Sequence, residues 1–317
     1  MVDSVSAVLP AMLRAHLEGR LPGWLEPHWF ATREELFAIA PLAEIGWFDM
    51  VNKHVMADVI RNASRLRWLN SLLAGMDALP LQELRERKVR VTNGAGINAI
   101  TIAEYVVMGM LTIAKGYREV VHAQARREWL KDSPGKVELY GSKALVLGYG
   151  GIGKLVEARL AAFGVEVSVV RRAPDASGRV LGPDQWRARL GDFDWVILAV
   201  PATPDTQDMI GAPELAAMKR SAVLINVARG SVVDQAALVL ALRERTIGAA
   251  FLDVTDPEPL PQDHPLWEMD NVFISMHLSG RSQSLMIQRS AQRFINNLER
   301  YRTGQALEHE VDLALGY

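Results

Sequence analysis

The sequence contains no cysteine, no long apolar run and no large excess of either charge. The lack of cysteine among 317 residues excludes disulfides, thiolate metal sites and a cysteine nucleophile, and it is typical of a reducing compartment such as the cytoplasm. The most apolar helix candidate, Tyr105 to Ala114, is only about half as long as a membrane span. The net charge of −2 gives no reason to expect binding to nucleic acid or to a membrane.

The composition is that of an ordinary globular protein, but the chain is too long for one hydrophobic core. Hydrophobic residues make up 49% and charged residues 23%, values that fit a folded chain. A chain of 317 residues usually divides into two domains. His264 and the other histidines have no partner at metal-ligand spacing, so no metal site is predicted.

Residues 144–153 read ALVLGYGGIG, a short apolar run followed by glycines spaced G-x-G-x-x-G. The first glycine permits a tight turn, the second lets backbone N–H groups approach a diphosphate, and the third lets a helix pack close to the strand. A helix-like run to residue 163 and a second apolar run at 165–170 complete the β-α-β context that the motif requires. The diphosphate of a dinucleotide is expected on the helix N-terminus, bound by Gly148, Gly150, Gly151, Ile152 and Gly153.

The alternation of strand and helix candidates predicts an α/β fold with two doubly wound, Rossmann-like or flavodoxin-like domains. Residues 1 to about 95 alternate short apolar runs with helix-like segments, and the last helix candidate, Ser284 to Tyr301, is expected to return to them. We therefore predict a substrate domain of residues 1–95 plus 284–317 and a dinucleotide domain of residues 96–283, with the cleft between them. The strand candidates of the second domain are 144–147, 165–170, 194–200, 222–227, 248–252 and 272–275.

Residues 98–127 form one long helical candidate that is apolar almost all round and rich in small residues. A helix of that kind is usually buried, against another domain or another subunit. Because twofold pairing is the commonest closed symmetry, we predict a homodimer built on this helix.

Four polar residues lie at or just beyond the carboxyl ends of strand candidates, where ligands bind in open α/β sheets. Each alone has an ordinary structural explanation, but the set supplies what hydride transfer to a 2-keto acid needs. A guanidinium binds a carboxylate bidentately, a histidine gives a proton to the carbonyl oxygen, and an acid beside it favours the imidazolium. The four residues are Arg229, Asp253, Glu258 and His277.

Three stretches together resemble the D-isomer-specific 2-hydroxyacid dehydrogenases, and more narrowly their glyoxylate/hydroxypyruvate reductase branch. They are LINVARGSVVD at 224–234, LDVTDPEPLP at 252–261, and His277. The resemblance covers essentially the whole chain. It implies that Arg229 binds and orients the substrate carboxylate and keto group, that His277 is the general acid/base, and that Glu258 hydrogen-bonds the histidine.

The resemblance also implies further ligand contacts. Asp253 is expected near the nicotinamide carboxamide, and backbone N–H groups after a strand of the first domain are expected to bind the substrate carboxylate. Trp47 ends a strand candidate and is a candidate to line the cleft, whereas Trp129 is a candidate to approach the neighbouring subunit's site. The remaining cofactor contacts are Pro201, Thr206, Ala228, His277 and Gly280, and the carboxylate-binding residues are Leu73, Ala74 and Gly75.

Two departures from the family pattern bear on function. Met276 precedes the histidine where the family usually has proline. Arg171 and Arg172 follow the second strand of the dinucleotide domain, where NAD-using members usually carry an acid. Because a guanidinium matches a 2′-phosphate and an acid repels it, we predict that NADP is preferred and that NAD is possible.

The prediction from the sequence is an NAD(P)H-dependent reductase of small 2-keto acids such as glyoxylate or hydroxypyruvate, working reversibly as a D-2-hydroxyacid dehydrogenase. One alternative is a dehydrogenase for a bulkier acid, since the sequence does not position the pocket residues. Another is a dinucleotide-sensing, corepressor-like interaction protein, which the complete set of Arg229, Glu258 and His277 disfavours. A formate-type dehydrogenase would be expected to carry a glutamine where Glu258 stands.

Overall fold

The computed structural model describes residues 4–49, 53–73, 75–76, 79–171, 173, 175, 177–281 and 284–314. Its chain divides into two compact units, one made of Met1–Asn98 with Gln283–Tyr317 and the other of Ala99–Ser282. The first unit is therefore discontinuous in sequence, whereas the second is a single stretch.

The described residues of the first unit form a five-stranded parallel sheet in the order β2-β1-β3-β4-β5. This is the flavodoxin-like order, and it confirms the predicted small α/β fold. The strands are β1 Val5–Pro10, β2 Leu25–Phe30, β3 Ile45–Trp47, β4 Trp68–Asn70 and β5 Arg90–Thr92. The helices are α1 Arg14–Leu17, α2 Arg33–Ile39, α3 Lys53–Asn62, α4 Leu81–Glu86 and, near the end of the chain, α10 Met286–Arg302, with 3-10 turns at Ala11–Leu13, Glu18–Arg20 and Ala40–Leu42.

Helix α10 completes the core of the first unit by packing on its sheet. Phe294 of this helix lies 5.1 Å from the ring of Trp47 and 5.2 Å from that of Trp68. Trp47 is 0% exposed, so the expectation that it lines a ligand cleft is wrong. A strand of a parallel sheet is covered on both faces, and its last residue can therefore face the core.

A carboxylate holds the chain where it leaves β4. Asp49, two residues after β3, accepts hydrogen bonds from the Ser71 hydroxyl at 2.8 Å, from the Trp47 indole at 2.9 Å and from the backbone N–H of Leu72. On the other side, a Cβ added to Gly94 would lie 1.9 Å from the Leu72 carbonyl oxygen, so only glycine permits this approach. The segment expected to bind the substrate carboxylate therefore starts from a fixed backbone.

The second unit contains a parallel sheet whose order is β12-β11-β10-β9-β6-β7-β8. The strands are β6 Lys143–Leu147, β7 Glu166–Val170, β8 Val180–Leu181, β9 Trp195–Leu198, β10 Val223–Asn226, β11 Ala249–Leu252 and β12 Val272–Ile274. The helices are α5 Ala99–Ala114, α6 Tyr117–Ala125, α7 Gly151–Ala162, α8 Ala212–Ala217 and α9 Gln235–Arg243, with 3-10 turns at Arg187–Asp192, Pro204–Thr206, Gly230–Val232 and Pro265–Trp267.

This strand order is that of a doubly wound, Rossmann-type sheet, with the reversal of order between β6 and β9. Alternate residues of β6 face opposite cores. Leu145 and Leu147 pack in the core that contains Trp186, and Val146 packs in the core that contains Val156 of α7. The predicted doubly wound fold is confirmed, although the sequence indicated six strands and missed β8, which has only two residues.

The single helix predicted for residues 98–127 is wrong. The chain forms α5 and α6 instead, at an angle of 71°, with the break at Gly116, whose φ of 60° favours glycine. Beyond the break, the guanidinium of Arg118 lies 3.7 Å from the ring centroid of Phe273 in β12. This contact holds α6 against the edge of its own sheet.

Packing within the second unit largely explains why α5 is apolar. The helix packs on α7 and β11, and a Cβ added to Gly109 would lie 2.7 Å from the ring of Phe251. Among the described residues, no single helix is long and apolar enough to cross a membrane, and α5 with α6 passes that test only as a bent pair. The homodimer stays a prediction, which a solution mass from light scattering checks.

The buried carboxyl of Asp49 predicts a pH-dependent stability. Burial raises its pKa from 3.8 to about 6, although hydrogen bonds from Leu72, Ser71 and Trp47 oppose the shift. Because the folded pKa exceeds the unfolded one, ionisation of Asp49 destabilises the fold, starting near pH 3.8 and reaching its full extent above pH 6. Relative to the wild type, the free energy of unfolding of Asp49→Asn should therefore improve by roughly 1–3 kcal/mol between about pH 4.5 and 7.5. Urea unfolding at both pH values measures this difference, and a constant difference would contradict it.

Candidate active site

The glycine turn lies at the point where the strand order of the second sheet reverses. Gly148 follows β6 with a φ of 99°, and a Cβ added to it would lie 2.5 Å from the carbonyl oxygen of Ala199, just beyond β9. A Cβ on Gly153 would lie 2.1 Å from the Gly148 oxygen, whereas one on Gly150 would meet open space. The turn thus needs glycine at the first and third positions for packing and leaves room at the second.

The N-terminus of α7 faces that open space. The helix begins at Gly151, and its N-cap, Gly150, provides no side-chain capping hydrogen bond. Uncapped N–H groups and the helix dipole favour a bound anion. The turn and the helix therefore fit the diphosphate of a dinucleotide, and Ile152 lies in the first turn of the same helix.

Arg171 lies directly after β7, where the adenosine end of a dinucleotide is recognised in this fold. Its Nε donates to the Ala173 carbonyl at 2.7 Å, and its Nη2 lies 3.9 Å from a carboxylate oxygen of Asp175. Hydrogen bonds from Ser177, with Arg171 and Arg179 nearby, keep the pKa of Asp175 below its usual value. An acid therefore lies beside Arg171, although not at the position that the sequence motif specifies, and Arg172 lies outside the described residues.

The other predicted cofactor residues lie beside the same edge of the sheet. Pro201 is exposed after β9, and its carbonyl accepts the Thr206 hydroxyl at 2.7 Å. That buried hydroxyl also accepts from the Thr203 N–H at 2.8 Å, so Thr206 shapes this loop. Ala228 is buried after β10, and its N–H donates to the side chain of Asn226 at 3.0 Å. Gly280 is half-buried, three residues after His277.

Arg229 is presented by a turn that the sequence specifies closely. The Asn226 amide donates to the Arg229 carbonyl at 2.9 Å, and the Arg229 guanidinium donates to the Ala228 carbonyl at 2.7 Å. A Cβ on Gly230 would lie 2.1 Å from the backbone of Thr255, so glycine lets the Arg229 turn meet the chain beyond β11. The half-buried Arg229 therefore lies beside the segment that leads to Glu258.

The structure brings His277 and Glu258 together. Nδ1 of His277 lies 2.7 Å from Oε2 of Glu258, and the side chains are 39% and 38% exposed. The other carboxylate oxygen accepts from the N–H of Thr255 at 3.2 Å. When Nδ1 donates to Glu258, Nε2 is the nitrogen left to face a ligand.

Asp253 holds the loop that carries the histidine. Its buried carboxylate accepts the Ser275 hydroxyl at 2.6 Å, the Leu278 N–H at 3.1 Å and both the N–H, at 3.2 Å, and the hydroxyl of Ser279. Its carbonyl oxygen accepts the His277 N–H at 2.5 Å. The described contacts of this carboxylate are thus with the histidine loop, and its predicted approach to a nicotinamide carboxamide stays a prediction.

The histidine loop has an uncommon backbone. Met276 and His277 have φ values of 53° and 55°, in the left-handed region that non-glycine residues seldom adopt. Proline, the usual family residue at position 276, holds φ near about −65° and does not fit there. The Asp253 hydrogen bonds thus stabilise a conformation that proline would prevent.

Of the predicted substrate residues in the first unit, Ala74 lies outside the described residues and Gly75 is partly buried. The N–H of Leu73 donates to the Ser71 hydroxyl at 3.1 Å, and its predicted contact with a substrate carboxylate stays a prediction. Trp129, in the second unit, is 93% exposed. No group of three or more His, Asp or Glu side chains among the described residues has metal-ligand geometry.

Sequence reasoning missed Gln235, the first residue of α9. Its side chain forms hydrogen bonds with the backbone of Asp256, two residues before Glu258. The two residues are 21 positions apart, and no periodic pattern links such positions.

A doubly wound sheet with a glycine turn, an arginine and a histidine–carboxylate pair at one edge defines a dinucleotide-binding oxidoreductase. A sequence profile described as the D-isomer-specific 2-hydroxyacid dehydrogenase NAD-binding domain matches residues 107–279. The solved structure of a D-isomer-specific 2-hydroxyacid dehydrogenase from Xanthobacter autotrophicus Py2, in complex with NADPH and MES, is 26% identical to this chain. It superposes with a TM-score of 0.81 over 99% of this chain and 100% of that one.

Curated relatives share more of the sequence. Glycerate dehydrogenase from Methylorubrum extorquens is 32% identical over 284 residues, 86% of this chain and 87% of that protein. Glyoxylate reductase from Korarchaeum cryptofilum is 32% identical over 272 residues, 81% and 79% of the two chains. D-3-phosphoglycerate dehydrogenase from Methanocaldococcus jannaschii is also 32% identical, but the match spans only 48% of that protein. The chain belongs to the D-isomer-specific 2-hydroxyacid dehydrogenases, a family of NAD(P)-dependent oxidoreductases.

The backbone at Met276 predicts that the usual family residue is harmful here. Met276→Pro should lower the free energy of unfolding by at least about 1 kcal/mol, because the ring cannot adopt the native φ. The Met276 side chain is 61% exposed, so the loss does not come from core packing. Met276→Gly is the matched control and should stay within about 1 kcal/mol of the wild type, since glycine adopts positive φ freely. Urea unfolding compares the two, and a proline variant as stable as the glycine variant would be the contrary result.

Proposed function

We propose that this protein reduces a small 2-keto acid, such as glyoxylate or hydroxypyruvate, to the D-2-hydroxy acid with NADPH. The observation that carries the proposal is the contact between His277 and Glu258 at the sheet edge that also presents the glycine turn and Arg229. The nicotinamide supplies the hydride when the cofactor is bound. The protein's own side chains bind the substrate and transfer the proton.

In this mechanism Arg229 binds the substrate. Its guanidinium presents two parallel N–H donors to a carboxylate, which fixes the position of the adjacent keto carbon. The Asn226 hydrogen bond to the Arg229 carbonyl, at 2.9 Å, holds the turn from which the guanidinium projects.

His277 provides the proton. Nε2 of the imidazolium donates to the keto oxygen as charge develops there, and in the reverse direction the neutral imidazole accepts a proton from the hydroxyl. Glu258, 2.7 Å from Nδ1, stabilises the charged ring and orients it. A corepressor-like protein would have no need of this pair, and the pair therefore favours an enzyme.

Small substrates are supported by the names of two relatives, a glycerate dehydrogenase and a glyoxylate reductase that each match over most of their length. A bulkier 2-keto acid is the alternative. Initial rates with glyoxylate, hydroxypyruvate, pyruvate and phenylpyruvate distinguish the two. The highest kcat/KM with phenylpyruvate would overturn the small-substrate proposal.

His277→Ala should lower kcat at least about a hundredfold, the scale expected for loss of a general acid, with the Kd for NADPH little changed. Arg229→Ala should instead reduce kcat/KM for the keto acid, because it removes charge-assisted hydrogen bonds of about 1.5–3 kcal/mol each. Arg245→Ala is the matched control, since this exposed arginine follows α9 and pairs with Asp270. Steady-state kinetics and cofactor fluorescence titration measure these quantities. A His277→Ala variant with near-normal turnover would remove the histidine from the mechanism.

The preference for NADPH rests on Arg171. A 2′-phosphate offers more negative charge than Asp175, whose contact with Arg171 is long, at 3.9 Å, and solvent-exposed. Exposed pairs of this kind contribute little, so the guanidinium can exchange one anion for the other. The relative from Xanthobacter autotrophicus, solved with NADPH, supports the same preference.

The cofactor proposal predicts a higher kcat/KM with NADPH than with NADH. Arg171→Asp should move the ratio towards NADH, mainly through the cofactor KM, because a carboxylate repels the 2′-phosphate and accepts hydrogen bonds from ribose hydroxyls. Asp175→Asn, which removes the competing acid, should leave the ratio unchanged or move it further towards NADPH. Equal efficiency with both cofactors in the wild type would exclude the proposal.

A further inference from the structure

The loop that carries Glu258 has few attachments to the rest of the second unit. Residues 256–259 are exposed, between the buried Thr255 and Leu260. Two hydrogen bonds lie within the loop, from the Thr255 N–H to Glu258 at 3.2 Å and from the Thr255 hydroxyl to the Pro257 carbonyl at 3.0 Å. Hydrogen bonds inside a loop preserve its shape, but they do not fix its distance from His277, which follows another strand.

Gln235 ties this loop to a helix. Its Oε1 accepts the Asp256 N–H at 2.9 Å, and its Nε2 donates to the Asp256 carbonyl at 2.6 Å. Two bonds to the backbone of one residue fix both its position and its orientation. Gln235 itself is the first residue of α9, whose N-cap, Asp234, accepts the Ala237 N–H at 3.0 Å and whose Leu238 is buried in the core.

His264 lies on the other side of the Gln235 carboxamide. Its Nε2 is 3.3 Å from the Gln235 amide nitrogen, and its Nδ1 accepts the N–H of Leu266 at 3.3 Å. Leu266 is buried, so this hydrogen bond ties the imidazole to a backbone that the core fixes. The ring therefore limits the positions that the carboxamide can adopt.

The placement of the loop matters because the acid–histidine pair is not enclosed. Both side chains are more than a third exposed. Water therefore screens the attraction between the two groups and hydrates each of them when they separate. The carboxylate of Asp253, whose backbone carbonyl accepts the His277 N–H, binds Ser275, Leu278 and Ser279. Glu258 contacts the imidazole directly, so its effect on His277 depends on how closely the loop of residues 256–259 is held.

We propose that Gln235 is a positioning residue for the reaction. By holding the backbone of Asp256 it keeps the Glu258 carboxylate on Nδ1 of His277, and so keeps the imidazolium form available to the keto acid. The proposal rests on the function proposed above for Glu258 and His277. Gln235 touches neither substrate nor cofactor and acts only through Glu258.

The test is a double-mutant cycle in which the pH dependence of kcat/KM is measured. Gln235→Met keeps the length of the side chain and removes both hydrogen bonds to Asp256, and Glu258→Gln removes the acid. For glyoxylate reduction with NADPH, kcat/KM falls to half at a certain pH as the imidazolium loses its proton. In Gln235→Met this midpoint should be lower by about 0.5–1 pH unit, because Glu258 stabilises the imidazolium less. In the Glu258→Gln background the same substitution should cause no further fall. Gln235→Glu, which keeps the acceptor for the Asp256 N–H, should give a smaller change.

Leu240→Gln is the control on the same helix, at an exposed position, and should leave the pH profile as in the wild type. An equal loss of kcat/KM from Gln235→Met in both backgrounds, with an unchanged pH profile, would show a merely structural role and overturn the proposal. If Gln235→Met does not fold, a wild-type profile in Gln235→Ala, which also removes both hydrogen bonds to Asp256 and adds no charge, overturns it in the same way. An unchanged profile in Glu258→Gln itself would refute the proposed function, and the role of Gln235 with it.

Discussion

The register of the parallel sheet in the second unit is the constraint on which the candidate site depends. Asn226 pairs with Leu198 on one side and with Leu252 on the other, and Leu252 pairs with Ile274. The residues that follow these strands therefore emerge at one edge, although they are far apart in sequence. A shift of two residues in any pair would displace one of them by about 7 Å, more than the reach of a hydrogen bond.

Beyond that edge, two different devices hold the acid and the histidine. The buried carboxylate of Asp253 attaches the loop that carries His277 and takes the place of water as its hydrogen-bond acceptor. This loop has the positive φ values that non-glycine residues seldom adopt. The loop that carries Glu258, residues 256–259, is exposed and is attached by the carboxamide of Gln235 at the start of α9. One support is electrostatic and enclosed, and the other is neutral and open to solvent. The geometry of the pair therefore depends on Asp253, directly after β11, and on Gln235, at the start of α9.

The sequence predicted the glycine turn and the polar residues after the strands because both follow from local rules: only glycine lacks a Cβ, and parallel strands end at one edge. It missed β8, which is too short to show a period, and the bend at Gly116, which lies within an apolar run. Trp47 was assigned to a cleft because a strand covered on both faces gives no alternation to separate inside from outside. Gln235 was missed because its partners are long-range backbone groups.

The position of α10 has a consequence for how the protein is made. Phe294 packs between Trp47 and Trp68 of a unit that begins at the other end of the chain. During synthesis the first strands and helices emerge long before this phenylalanine, whereas residues 99–282 are continuous and can fold as they appear. The N-terminal sheet must therefore wait, with Trp47 and Trp68 uncovered on that face, until α10 has been synthesised after the whole of the second unit.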